Sequence, residues 1–128
     1  MATLKTTLKI ESSDLFPTPV NFTKINNNTI GAAYSSFTIV AIGTAPVTLS
    51  LVAPSADAYV YLSAPLNNTA PVVVGNPAVP LTVGTGFITL APGDVAFFPY
   101  GDGSGASLAL QAISSSANQT LDYFIGNK

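Results

Sequence analysis

The residues able to do chemistry in this chain are few: six carboxylates, four lysines and a scatter of Ser, Thr and Tyr hydroxyls. Among its 128 residues there is no Cys, no His, no Trp and no Arg. Thiolate nucleophiles, disulfides, zinc-thiolate sites and imidazole bases or ligands are therefore excluded. A Ser-Lys hydrolytic pair needs a lysine deprotonated by burial, whereas Lys5, Lys9 and Lys24 stand in polar sequence and Lys128 is the last residue. Paired carboxylates can cleave glycosides, but Glu11, Asp14, Asp57, Asp94, Asp102 and Asp122 are scattered. Asp102-Gly103-Ser104-Gly105 offers one carboxylate where calcium wants several, so it reads as a turn. The glycine runs lack the lysine and following helix of a phosphate loop. The expectation is a protein that is not an enzyme, with no catalytic residue, no metal and no cofactor.

Tyr59 and Tyr61 are the remaining candidates. They alternate with Ala58, Val60 and Leu62, so in a strand both rings emerge on one sheet surface. Such rings stack on sugars or anchor protein interfaces. Ordinary cross-strand packing is the plainer reading, and the missing Trp puts a protein interface ahead of a sugar site.

The elements that position them read as all-β. Segments rich in Val, Ile, Thr, Phe and Tyr recur every 8 to 15 residues between Pro, Gly, Asn and Ser clusters, and none sustains a helical period. Strands are expected at 4–11, 20–25, 37–43, 47–52, 58–64, 72–74, 81–83, 87–90, 95–100, 107–114 and 120–125. Val47, Leu49 and Leu51 alternate with Thr48 and Ser50, and Leu121, Tyr123 and Ile125 with Thr120 and Asp122, although Phe124 spoils the polar side. One buried and one solvated face per sheet suits an antiparallel β-sandwich formed by residues 1–128 as a single domain.

Two segments break the alternation. Ile39 to Ile42 and Val95 to Phe98 are apolar on both faces, so the side that should meet water needs a cover: a loop, the N-terminal segment or a neighbouring subunit. Ile39, Val40, Ile42, Tyr59, Tyr61, Val95, Phe97 and Phe98 are therefore the candidate interface residues. Charged residues make up only 8 % of the chain and the net charge is −2, which gives copies little mutual repulsion and excludes both disorder and nucleic-acid binding.

Turn chemistry adds detail. Ala91-Pro92-Gly93-Asp94 places Pro and Gly at the centre of a type II turn, which makes a hairpin or a sharp corner. Gly84-Thr85-Gly86 and Asn67-Asn68-Thr69 are further punctuation, and 101–105 is a loop tip. Four Asn-X-Thr sequons, at Asn21, Asn27, Asn67 and Asn118, read as Asn-rich turns. Residues 1–20 are expected to form an extended arm or an edge strand, with Lys5, Thr7 and Lys9 on one face and Leu4, Leu8 and Ile10 on the other. The first ten residues lack a secretory pattern and no apolar run is long enough for a membrane helix, so the expectation is a protein made soluble, with no membrane partner.

In Leu8-Lys9-Ile10-Glu11-Ser12-Ser13-Asp14-Leu15-Phe16, and in Ile88-Thr89-Leu90-Ala91-Pro92-Gly93-Asp94-Val95-Ala96-Phe97-Phe98-Pro99, the chain resembles small β-rich virion proteins of tailed bacteriophages, especially those infecting cyanobacteria. The Pro-Gly-Asp turn is also similar to that of jelly-roll and cupin-like barrels, whose metal-binding histidines are missing here. The resemblance implies a jelly-roll-like sandwich that serves as a capsid decoration or cement protein on the outer face of the major capsid protein lattice, a homo-oligomer and often a trimer, made in the host cytoplasm and located on the virion, with no catalytic residues. The alternative in the same setting is a carbohydrate- or receptor-binding module of a fibre, spike or tail.

Overall fold

Apolar and polar residues alternate along short segments, and in the computed structural model these segments are strands. The structure describes residues 2–13, 19–31, 37–49, 57–101 and 109–127. Among the described residues the elements are β1 (Ala2–Ser12), β2 (Val20–Ile30), β3 (Thr38–Ile42), β4 (Val47–Leu49), β5 (Asp57–Ser63), β6 (Val72–Gly75), β7 (Ile88–Leu90), β8 (Val95–Gly101), β9 (Leu110–Ser114) and β10 (Gln119–Asn127). They include no helix, and so none long and apolar enough to cross a membrane.

Two four-stranded antiparallel sheets, in the orders β3-β10-β5-β8 and β4-β9-β6-β7, pack face to face as a β-sandwich. The pairings are nested: β3 with β10, β4 with β9, β5 with β8 and β6 with β7. The first sheet supplies Ile42, Val60, Leu62, Leu121 and Tyr123 to the core, and the second supplies Leu49, Val72, Val74, Leu90 and Leu110. Each large apolar side chain buried there contributes about 1.5–3 kcal/mol.

Two amides close one end of the sandwich. The Asn68 side chain donates to the Thr120 carbonyl at 2.8 Å and accepts from the Thr120 N–H at 2.8 Å. It stands in for a strand partner. The buried Gln119 Oε1 accepts from Thr69 N at 2.7 Å and Ala70 N at 3.0 Å, while Nε2 donates to Ala117 O at 2.7 Å and Thr69 Oγ1 at 3.2 Å.

At the turn after β7, Gly93 has φ +92° and Asp94 N donates to Ala91 O at 2.9 Å, as a type II turn requires. Because β7 and β8 belong to different sheets, the turn makes a corner and not a hairpin. It docks on the end of β5 through Gly93 N to Ala64 O at 2.7 Å.

The expected strand at 81–83 is not one. Pro80 precedes it, Thr85 Oγ1 bonds Pro80 O at 2.9 Å, and Leu81 turns inward to cover Val73 and Ile113 on the outer face of the second sheet. The sequons at Asn21 and Asn27 are not turns either: both lie inside β2, where pairing with β1 along the full length of the strand outweighs the turn preference of Asn. That pairing also corrects the N-terminal boundary. The arm is not residues 1–20 alone but the hairpin β1–β2, a separate two-stranded sheet and not an edge of the sandwich. The extension of β4 to Val52, the loop tip beyond Gly101 and the start of β9 at Ser107 fall outside the described residues.

Candidate binding face

The outer face of the β3-β10-β5-β8 sheet is built in rows by the strand register. Ile39, Asp122, Ser63 and Val95 are successive cross-strand partners. In the next row Phe124 pairs Tyr61 and Tyr61 pairs Phe97. Phe37 completes this row by stacking on Phe124 at 5.3 Å and meeting the Tyr61 ring edge-on at 5.6 Å. Tyr59, one row further, stacks on Phe97 at 5.9 Å. Two aromatic groups therefore sit side by side on the sheet, Phe37 with Phe124 and Tyr61, and Tyr59 with Phe97, each joined by ring pairs within the centroid range at which they attract.

This face is open. Ile39 is 72 % exposed and Val95 66 % exposed, and Phe37 is also exposed. The β1–β2 arm stands over part of it and leaves a cleft of ≈ 560 Å³ between Leu4, Leu8, Lys24 and Asn26 above and the aromatic row below. Two described carboxylates belong to this face: Asp122, whose buried Oδ1 has no hydrogen-bond partner, and Asp57, exposed at the start of β5 on the same side as Tyr59 and Tyr61. The other described carboxylates are apart: Asp94 accepts from Ala91 N at 2.9 Å, and Glu11 pairs with Lys9 at 2.9 Å on the arm. Among the described residues no three carboxylates gather where a metal could be held.

Of the eight candidate residues, Ile39, Tyr59, Tyr61, Val95 and Phe97 come together on this face. Val40, Ile42 and Phe98 do not. The period-2 pleat turns them to the other side, Ile42 into the core, Val40 partly buried against it, and Phe98 partly buried in ring contact with Phe87 and Tyr100. Sequence reasoning missed Phe37 and Phe124. Both signals were visible, Phe124 as the residue that breaks the polar side of β10 and Phe37 as the first residue of the expected strand 37–43, two before Ile39, although the observed strand begins one residue later. Comparisons with protein-family models, with curated proteins and with solved structures find no match to the chain.

Proposed function

We propose that this protein is a non-enzymatic virion structural subunit, a capsid decoration or cement protein that binds the outer surface of the major capsid protein lattice and assembles as a homo-oligomer, a trimer in the favoured arrangement. One observation supports the reading: Phe37, Ile39, Val95 and Phe97 stay exposed on their sheet face although the arm stands over part of it, while on the opposite sheet Val73 and Ile113 are buried under Leu81 of the chain's own loop. An aromatic centre nearly free of charge is the composition of an interface core. A repetitive lattice multiplies a modest contact of this kind through avidity. The nested strand pairing supports reading the sandwich as a jelly roll, an architecture shared by viral capsid and lectin domains. On this reading the protein co-purifies with particles at a fixed copy ratio, and particles lacking it break at lower heat or osmotic stress. Free protein with no particle-bound fraction refutes it.

A second reading, a glycan-binding module of a fibre, spike or tail, is favoured by the cleft alone. An aromatic floor with Tyr61 beneath Asn26 and Lys24 joins a stacking surface to hydrogen-bond donors, the usual make-up of a small-ligand site. Replacing Tyr59 and Tyr61 with Ala then abolishes glycan retention without unfolding the domain, and unchanged retention removes this reading.

A further inference from the structure

We infer that β1–β2 is an exchange arm whose apolar face docks on the open sheet face of a second copy of this chain. The inference rests on the reading of the protein as an assembling subunit and names the contact that assembles it.

Residues directly opposite in an antiparallel pair share a face. On the arm, Leu8 pairs Lys24 and Ile10 pairs Phe22, so one face presents three large apolar side chains and one ammonium group. Leu8, Ile10 and Phe22 are each about half exposed. The base of the arm is fixed where the buried Ile30 lies against Gly126 of β10. At ~3.4 Å per residue, Ile10 stands ~27 Å along the arm from Ala2, whereas four strands ~4.8 Å apart make a sheet only ~15 Å across. The wall of the cleft accordingly ends at Leu8 and Lys24; Ile10 and Phe22 lie past it.

The receiving face is the complement of this one. Phe37, Ile39, Val95 and Phe97 share their face with two carboxylates, Asp122, whose buried Oδ1 is unpartnered, and the exposed Asp57, whereas the arm's apolar residues share theirs with Lys24. Lys9 is taken by Glu11, and among the described residues Lys24 has no ion pair. The balance of charge agrees: in the described residues Lys5, Lys9 and Lys24 against Glu11 give the arm +2, while Asp57, Asp94 and Asp122 give the body −3. From the exposed fractions and side-chain areas of ~150–220 Å², the two patches hold about 800 Å² of apolar surface. A reciprocal exchange makes this contact twice, so a pair of copies covers about 1,600 Å², within the range of stable specific interfaces. Arm and face are different patches, so two copies can exchange arms reciprocally or three can pass them round a ring.

The absence of cysteine makes a clean test. Phe22→Cys and Val95→Cys chains, one of them mass-tagged, are mixed and mildly oxidised, with Val79→Cys on the loop over the opposite sheet replacing Val95→Cys as the control. The expected result is a tagged-untagged disulfide at least ten-fold above the control. A yield equal to the control overturns the inference, as does a Phe22→Cys/Val95→Cys double variant that closes its disulfide within one monomeric chain. Particle attachment is scored in parallel with the unmodified protein. Cross-linking without attachment keeps the exchange and removes the decoration role, and attachment without cross-linking does the reverse.

Discussion

Two isoleucines three residues apart in β3 separate folding from docking. Ile42 is 1 % exposed, packed in the core, whereas Ile39 on the other side of the pleat is 72 % exposed. Ile42→Ala removes buried atoms and leaves a cavity, at about 2–5 kcal/mol. At roughly 4 °C per kcal/mol for a domain of this size, the melting temperature falls by about 10 °C or more. Ile39→Thr keeps the β-branched shape that suits a strand and gives up only contacts with water, so folding changes by less than about 0.5 kcal/mol. The same substitution matters once the face is covered. Full burial of an Ile side chain is worth about 1.5–3 kcal/mol, and nearly three-quarters of that is still unrealised at Ile39, which amounts to about 1–2 kcal/mol. Association then weakens about ten-fold. Thermal unfolding in dilute solution reads the first quantity, and sedimentation velocity over a concentration series reads the second. If Ile39→Thr melts alongside Ile42→Ala, or sediments like the parent at every concentration, the face is not a docking surface.

Replacing Gln119 with the similarly sized Leu strands the Thr69 and Ala70 N–H groups and the Ala117 carbonyl without their partners, at about 2–5 kcal/mol in total; chemical denaturation measures this, and a loss under 1 kcal/mol contradicts the amide account. Gly86→Ala drives a methyl into Val73 Cγ1 and to within 2.8 Å of the Val74 carbonyl oxygen, so stability falls by about 1–3 kcal/mol, with a parent-like denaturation midpoint as the disproof. Glu11→Gln breaks the Lys9–Glu11 pair, which is about half exposed at both ends, so it moves stability by no more than about 1 kcal/mol; a large drop in melting temperature contradicts that.

The sandwich was legible where the period-2 signal was clean. Asp57–Ser63 forms β5 with Ala58, Val60 and Leu62 inward and both tyrosines outward, as the alternation requires. The turn at Pro92-Gly93 was equally legible, because its chemistry is local. Other features depend on partners distant in sequence. The Asn-rich stretch of β2 has no strand signal of its own and becomes a strand only because β1 runs opposite it for eleven residues. Leu81 sits in a strand-like Leu-Thr-Val run, yet its burial is decided by Val73 and Ile113, which come from two other strands. The working face was half legible. Two-sided apolar runs flagged β3 and β8, but only the register shows that Phe124 joins Tyr61 and Phe97 in one row and that Ile42 and Phe98 belong to the other side, and only ring contacts bring Phe37 to Phe124 and Tyr61.

The two outer faces, compared within one molecule, bear on whether the open one is accidental. This chain is able to cover a sheet. The loop between β6 and β7 lays Leu81 over Val73 and Ile113, it is tied down by Thr82 and Thr85, and the side-chain-free Gly86 lets it come close enough. A surface meant for water would instead carry polar groups in its outward positions, as Thr48 and Gln111 do where they face each other across β4 and β9. The β3-β10-β5-β8 face has less of either remedy: between Asp122 and Ser63 in one row and Asp57 at the margin it exposes Ile39, Val95, Phe37 and Phe97, and the arm above it stands off far enough to leave a cleft. Contiguous apolar surface of this kind on a folded domain marks a site of contact. The contrast between a tightly covered sheet and an open one is thus the best support for reading the open face as the surface through which this protein acts.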